Sequence, residues 1–316
     1  MSSIKTTAIK RKRQMSSLRA GENISLFLMT LPGIILFLCF AYLPMAGIVL
    51  AFKSFRPRLG IFGSPWAGLK NFEFMIRNAT FWLTVRNTLF YNVIFLFIGI
   101  LGPLAFALAV NEVRPKRAAR VYQTLTIMPH FVSYVVVSVI VFAVLSADSG
   151  IIGNFLKDRG MAPIVFYSEP RYWPWILSIV YLWKHIGYSS IIYLGTITGI
   201  SDEFYEAAVI DGASKWQQIK HITMPFLRPM IVVLAIIRVG GMFSTNFDLF
   251  YQVPMNSGQL YPVTNTINVF TYNTLRNSNN VSLSAAVGFV QSVAGFLLVV
   301  GTNRVIRAID PDLAMF

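Results

Sequence analysis

The sequence predicts an all-α membrane protein with six transmembrane helices, a cytosolic helix-turn-helix between helices 4 and 5, and cytosolic N- and C-termini. Three observations predict it. Hydrophobic residues make up 55% of the chain and charged residues only 13%, with mean hydropathy +0.60, whereas a soluble domain carries about 25% charged residues. Six apolar runs each reach the roughly 20 residues that cross a hydrocarbon core. Between the fourth and fifth lies a polar, turn-broken stretch, Glu206 to Pro229.

The same composition excludes several functions. The net charge is +14, from 27 basic and 13 acidic residues. In a soluble chain that would suggest nucleic acid. Here it fits basic loops beside lipid headgroups, so a lipid bilayer is an expected partner and nucleic acid is not. The single cysteine, Cys39, allows no internal disulfide and no cysteine metal site. Three scattered histidines, His130, His185 and His221, make no metal site either.

Taken in order, residues 1–20 form a basic cytosolic tail, with Lys10-Arg11-Lys12-Arg13 ahead of the first apolar run. That run is too long for the core of a cleaved signal, and no small-residue cleavage site follows it. It reads as a retained first helix at about 24–50. Residues 21–316 form the membrane domain, with further spans at about 88–111, 122–147, 173–199, 229–254 and 283–303. The first three spans contain no Asp, Glu, Lys or Arg. Trp66-Ala67-Gly68-Leu69-Lys70-Asn71-Phe72 followed by Phe81-Trp82 reads as a short interfacial helix, with its aromatics at headgroup level. Orientation follows from Lys and Arg. With both termini inside, cytosolic segments carry fifteen and outer segments ten. The connection after the first span is unusually basic, with six between Lys53 and Arg86. The dense tail and the Arg114-Pro115-Lys116-Arg117 turn tip the balance.

The loop at 201–229 is built from local signals. Ser201 suits an N-cap, and Asp202 and Glu203 suit the first turn of a helix. That helix should run to about Ile210 and stop near Gly212, which tolerates positive φ. Ser214 and Gln217 fit a capping box for a second helix, on which Trp216, Ile219 and Ile222 share a face. Pro225 and Pro229 suit the first turn of the fifth span. A compact helix-turn-helix joined stiffly to its flanking spans can transmit a rigid-body push. An ordinary amphipathic connector on the membrane surface would show the same caps.

The spacing separates the two readings. Glu206-Ala207-Ala208, Asp211-Gly212-Ala213, then Ile222 and Pro225 resemble the EAA loop of the membrane subunits of bacterial ABC importers. The family pattern places a glycine six residues after the Glu and nine residues before I-x-L-P. Gly212 and Ile222 sit at those offsets, with Met224 in place of the leucine, a volume-conserving change. Leu31-Pro32-Gly33, Gly68-Leu69-Lys70-Asn71-Phe72 and Asn87-Thr88 look like the carbohydrate-uptake branch. Ala285-Ala286-Val287-Gly288-Phe289-Val290-Gln291-Ser292-Val293 with Asn303 resembles its lipoprotein/aldouronate-type oligosaccharide permeases. The resemblance covers nearly the whole chain except the tail.

That resemblance implies a type I importer fold in the bacterial cytoplasmic membrane. It implies a second, usually different permease subunit, two ATPase subunits below, and an extracytoplasmic solute-binding protein that delivers an oligosaccharide. In the family each permease inserts its EAA helix into a cleft on an ATPase. Carried over, Glu206 is the polar contact with the ATPase, Ala207 and Ala208 are close-packing positions, and Gly212 is the turn between Asp211 and Ala213. The chain has no G-x-x-x-x-G-K-[ST], so no cofactor is expected on it, and ATP and Mg belong to the partner.

Ionisable groups at bilayer depth usually mark a pathway. Lys184 and His185 lie in the fourth span, Arg238 in the fifth, and His130 in the third beside helix-bending Pro129. At the α-helical rise, Lys184 falls roughly 16 Å below the outer surface and Arg238 roughly 12–14 Å above the inner one. Basic groups at one depth without an acid suggest an anion pathway and an acidic oligosaccharide such as a uronate fragment. The alternative is that Lys184 or Arg238 satisfies helix carbonyls or pairs with a carboxylate on the other permease. Asn246, Phe247, Asp248 and Tyr251, nearer the outer mouth, suit a sugar path of aromatic faces and polar groups. Gly187, Gly240 and Gly241 would allow helices to approach or bend.

Other functions fit less well. An ion-gradient-driven secondary transporter would favour inverted repeats and midplane carboxylates, but the deep charges here are basic. An intramembrane enzyme would need a constellation such as H-E-x-x-H, which the sequence lacks.

Overall fold

The computed structural model describes residues 24–309, and every regular element among them is helical. The expected basic tail, residues 1–20, lies outside the described residues. The described residues open with the apolar helix α1 (Ile24–Phe52), 29 residues that stay almost wholly exposed on the body's surface. A four-residue turn, α2 (Gly60–Gly63), and the amphipathic α3 (Lys70–Arg77) follow. Phe72 of α3 turns inward onto Phe52 and Phe289, with ring centroids 5.1 and 5.8 Å away. The interfacial helix expected at Trp66–Phe72 is therefore centred a few residues later, because positive φ at Gly68 holds a turn ahead of it.

The long α4 (Ala79–Asn111) is capped by Asn78, whose side chain accepts from the Thr80 amide. Next come α5 (Lys116–Phe131), α6 (Tyr134–Leu145) and α7 (Ile151–Asp158), then α8 (Trp173–Thr198). The polar loop holds α9 (Asp202–Ile210) and α10 (Lys215–Gln218), and α11 (Met224–Gly240) continues from α10. The chain closes with α12 (Phe247–Gln252), α13 (Tyr261–Thr264), α14 (Ile267–Ser278) and α15 (Val281–Ile309).

The expected count of six crossings is not met. Among the described residues four continuous helices are long and apolar enough: Ile24–Phe52, Ala79–Asn111, Lys215–Gly240 and Val281–Ala308. The bent pair α5–α6 raises the number to five at most. Two physical causes account for the difference. The run read as a straight span at 122–147 breaks between Phe131 and Tyr134 and turns by 103°, because Val132 and Ser133 take extended backbone (ψ 130° and 150°) and Ser133 caps a new helix by accepting from Val136. The helix expected at 173–199 forms as α8 with 26 residues, but it falls outside the set that is apolar enough to cross, and Lys184, His185 and its serines and tyrosines are what dilute its hydropathy. The fifth run also differs from 229–254. It starts at Lys215, stops at Gly240, and resumes as α12 after an irregular stretch. Placing both termini on one side rested on six crossings and no longer follows from the count.

Two prolines leave the same local mark. A five-residue π-turn ends two residues before Pro44 (Leu38–Tyr42) and again before Pro225 (Ile219–Thr223). In each the next amide reaches back five residues, Leu43 to Leu38 and Met224 to Ile219. Proline lacks the donor that would close an α-turn, and the wider turn keeps the rod continuous.

Packing centres on α8, held between α4 and α5. Gly187 of α8 rests on the α5 backbone; a Cβ there would stand 2.2 Å from the Thr126 carbonyl oxygen. Small residues allow such approach in membranes, where association depends on close van der Waals contact. One aromatic-rich core joins Tyr91, Phe95, Trp173, Leu177, Leu249 and Phe250 in the half away from the polar loop. A smaller aliphatic core, including Leu104, Val110, Tyr193 and Leu227, lies in the half nearer it.

Candidate functional site

Two regions hold the candidate residues. The first is the elbow α9–α10. Ser201 accepts from Glu203 and opens α9. Ser214 and Gln217 form the expected capping box, Ser214 N–H donating to Gln217 Oε1 at 2.7 Å. Between the helices Gly212 adopts φ +78°, and the Ala213 amide donates back to the Ala208 carbonyl at 2.8 Å. Gln218 Nε2 also donates to the Ala213 carbonyl. Glu206, Ala207 and Asp211 are exposed, while Ala208 and Ala213 are half-buried.

The elbow is fastened to the body. The Tyr205 hydroxyl meets Thr223 Oγ1 at 2.9 Å, Phe204 packs on Phe226, and Lys215 lies 3.5 Å from Glu112 at the end of α4. Its second arm belongs to the continuous helix Lys215–Gly240. On its outer surface stand large apolar side chains with no internal partner face: Ile210 is 85% and Trp216 71% exposed.

The second region is the interior band that the sequence placed at one depth. His130, Lys184, His185 and Arg238 do come together there. Lys184, 5% exposed, donates through Nζ to the carbonyls of Pro129 (3.1 Å), His130 (2.9 Å) and Val132. These carbonyls lie at the C-terminal end of α5, at the 103° bend, where Pro129 also accepts from the Val132 amide at 3.2 Å. An ammonium has three donors, and all three are engaged. Lys184 also lies 4.8 Å from the Tyr134 ring centre. His185 Nε2 is 3.2 Å from the Tyr134 hydroxyl, and His130 stacks on Tyr188 at 4.1 Å. Arg238 donates to the Tyr181 hydroxyl at 2.6 Å and to the Gly99 carbonyl at 3.1 Å. Its guanidinium sits where a Cβ on Gly99 would be, 2.8 Å away. Tyr181 stacks on Phe95 at 4.0 Å.

Asn246, Phe247, Asp248 and Tyr251 lie on the short α12, which packs on α6 and α8 beside that band. Asn246 is the N-cap and accepts from Leu249 at 3.0 Å. The irregular stretch before it, from Gly241, is held by amides of three other helices. Asn92 donates to the Met242 and Ser244 carbonyls, Asn268 accepts from the Thr245 amide, and Gln291 donates to the Phe243 carbonyl at 2.7 Å. Non-helical backbone at membrane depth persists only where protein or an aqueous cavity satisfies it.

Beside this stretch is a cavity of about 310 Å³, lined by Phe247, Asn268, Thr271, Tyr272, Leu275 and Gln291. Phe247 stacks on Tyr251 at 4.9 Å and meets Tyr272 at 4.8 Å. Aromatic faces with amides and a hydroxyl suit a ring that is apolar on its faces and polar at its edge. The sequence reading found Phe247 but missed Asn268, Thr271, Tyr272 and Leu275. A signal was present: positions 268, 271, 272 and 275 fall on one face of a helix. In the short turn Phe166–Ser168 ahead of α8, Tyr167 packs on Trp173 and donates to the Val253 carbonyl at 3.4 Å, and burial pushes its phenol up to about 12.

Comparison with known proteins places these features in context. Residues 99–315, more than half of the chain, match the family described as binding-protein-dependent transport system inner membrane component. The chain is 35% identical over 298 residues to the polygalacturonan/rhamnogalacturonan transport system permease protein YteP of Bacillus subtilis, covering 94% of this chain and 92% of that protein. It is 32% identical to protein LplB of the same organism, covering 96% and 98%. Among solved structures it is similar to a chain of a bacterial ABC transporter involved in the import of the acidic polysaccharide alginate. The TM-score is 0.83 at 31% identity, over 92% of this chain and 99% of that one.

Proposed function

The chain belongs to the family of inner-membrane components of binding-protein-dependent transport systems, and from that premise we propose how this member couples and what it carries. It is a multi-pass, non-catalytic permease subunit of an ABC-type carbohydrate importer. Importers of this family join a permease pair, an ATPase and a solute-binding protein. ATP and Mg act on the ATPase.

The finer reading concerns the loop. The elbow Asp202–Thr223 docks on the ATPase, with Glu206 as polar contact, Ala207 and Ala208 packed closely, and Asp211-Gly212-Ala213 as the turn. The observation that carries this is the exposed apolar surface at Ile210 and Trp216 on an elbow continuous with the helix ending at Gly240. Exposed apolar patches beyond the membrane segment mark interaction sites. The second permease is a different chain, and two ATPase subunits bind the pair. A ligand shifts a two-state equilibrium only through differential affinity, so ATP binding and docking of loaded binding protein are coupled through this elbow.

The cargo is an acidic, uronate-type oligosaccharide. Two relatives support this, one named for polygalacturonan and rhamnogalacturonan transport and one for import of acidic alginate. The cavity beside α12 is its resting place on this chain. With the elbow marking the cytosolic side, this cavity lies toward the extracytoplasmic half.

Co-purification tests the coupling. The wild-type complex retains a soluble Walker-type ATPase. Gly212→Pro, incompatible with φ +78°, should release it or uncouple hydrolysis from uptake while the permease stays in the membrane. Uptake that survived ATPase removal and collapsed with the proton gradient would instead mean a secondary transporter.

A further inference from the structure

The chain's cations divide sharply by what they touch. Lys53, 6% exposed, donates to the carbonyls of Ile61 and Phe62. Lys184 has all three donors on the bend of α5–α6. Arg238 is held by Gly99 and Tyr181, and Arg86 by Asn87 and the Pro262 carbonyl. Each stabilises backbone or a neighbour, and none faces the cavity beside α12. Arg276 differs. It lies on α14, next to cavity-lining Leu275 and one turn beyond cavity-lining Tyr272. It donates to the Tyr272 hydroxyl at 2.5 Å, and no carboxylate pairs with it among the described residues. That bond uses one of five guanidinium donors.

From this placement we infer that Arg276 is the carboxylate-selecting residue of the cavity, taking one carboxylate of a uronate unit whose ring lies against Phe247 and Tyr272. The inference rests on the acidic-oligosaccharide reading and deepens it. A guanidinium forks around a carboxylate with two parallel hydrogen bonds, which an ammonium cannot do. Tyr272 serves as both ring platform and anchor. Its hydroxyl fixes the arginine over the cavity edge, and this hydrogen bond raises the guanidinium pKa still further, so the charge persists at any working pH. The neighbouring acid on α12, Asp248, forms no ion pair with it. The cavity, at about 310 Å³, lies at the lower end of ligand-pocket sizes, so it suits a single sugar residue of a longer chain.

The test uses the full transporter in proteoliposomes with its binding protein, and compares a galacturonate trisaccharide with its neutral methyl ester. Arg276→Gln should lower uptake of the acid about tenfold, the loss expected for one charge-assisted hydrogen-bonded contact. It should leave uptake of the ester and the amount of assembled complex unchanged. Arg276→Lys should recover part of the loss, because charge returns without the fork. Tyr272→Phe, which keeps the ring and removes the anchor, should fall between. An equal loss for acid and ester, or Gln and Lys variants that match wild type on the acid, overturns the assignment to Arg276. If wild type carries the ester but not the acid, the acidic-cargo reading itself fails, and Arg276 has nothing to select.

Discussion

At the elbow, polar side chains bond to backbone groups two to five residues away, as in Ser201 with Glu203, Ser214 with Gln217, and Gln218 with Ala213. Its charges stay in solvent. At the two breaks inside the helical body the reach is much longer. Lys184 bonds to carbonyls 52 to 55 residues away, Gln291 to one 48 away, and Asn92 to two 150 and 152 away. Residue type alone does not decide which role a side chain takes. A helix break in an apolar body strands carbonyls at several kcal/mol each, and a buried amine is drawn to them before it can serve a ligand. In water the same carbonyls would be solvated, and a charge there remains free for a partner.

The sharpest way to break this contrast is Lys184→Met. With the ammonium gone, the carbonyls of Pro129, His130 and Val132 lose a shared donor, and the complex should lose about 3 kcal/mol of stability. The melting temperature of the purified complex in detergent reports it. Uptake should fall in proportion to surviving complex, equally for acidic and neutral oligosaccharides. A variant of unchanged stability that lost only acid uptake would return Lys184 to the pathway and erase the distinction between the regions.

How far the sequence could be read follows the same division. The caps of α9 and α10 and the turn at Gly212 were legible, because each depends on residues within one helical turn. Trp173 as the start of α8 was legible from the edge of an apolar run. The breaks were not. Pro129 signalled a bend in α5, but nothing local indicated 103° or that Lys184 would close over it. Gly240 and Gly241 suggested flexibility, yet the stretch that follows is fixed by Asn92, Asn268 and Gln291 from distant helices. The count of six failed for a related reason. A run of 26 residues satisfies length, but Lys184 and His185 sit in it to serve a neighbouring helix, and they lower its hydropathy. Arg276 carried no local signal, and its place beside Tyr272 and the cavity came only with the fold.

A smaller effect sharpens the elbow's side of the comparison. Ser214→Ala removes the oxygen that accepts from the Gln217 amide and should cost about 1 kcal/mol, the usual value for an N-cap. Because the cap is local, the loss should be local. Amides at Lys215–Gln218 should exchange with solvent several-fold faster, while the melting temperature of the complex hardly moves. A fall in melting temperature matching that of Lys184→Met would mean that the elbow is part of the core.

The smallest expected effect concerns the link between the elbow and α4. Lys215 and Glu112 stand 3.5 Å apart with side chains 71% and 39% exposed, and such pairs contribute about 0–1 kcal/mol. A double-mutant cycle with Lys215→Ala and Glu112→Ala should therefore give a coupling near the bottom of that range, and salt near 1 M, where the Debye length falls to about 3 Å, should weaken it further. The same cycle on ATPase stimulation is the sharper measurement. If the elbow moves as one body with Lys215–Gly240, breaking its tether to α4 leaves coupling intact, because the push already passes along a continuous helix. A cycle showing strong, salt-resistant coupling in hydrolysis would mean that α4 carries part of the motion, and that the exposed end of the molecule uses long-range pairing much as the buried breaks do.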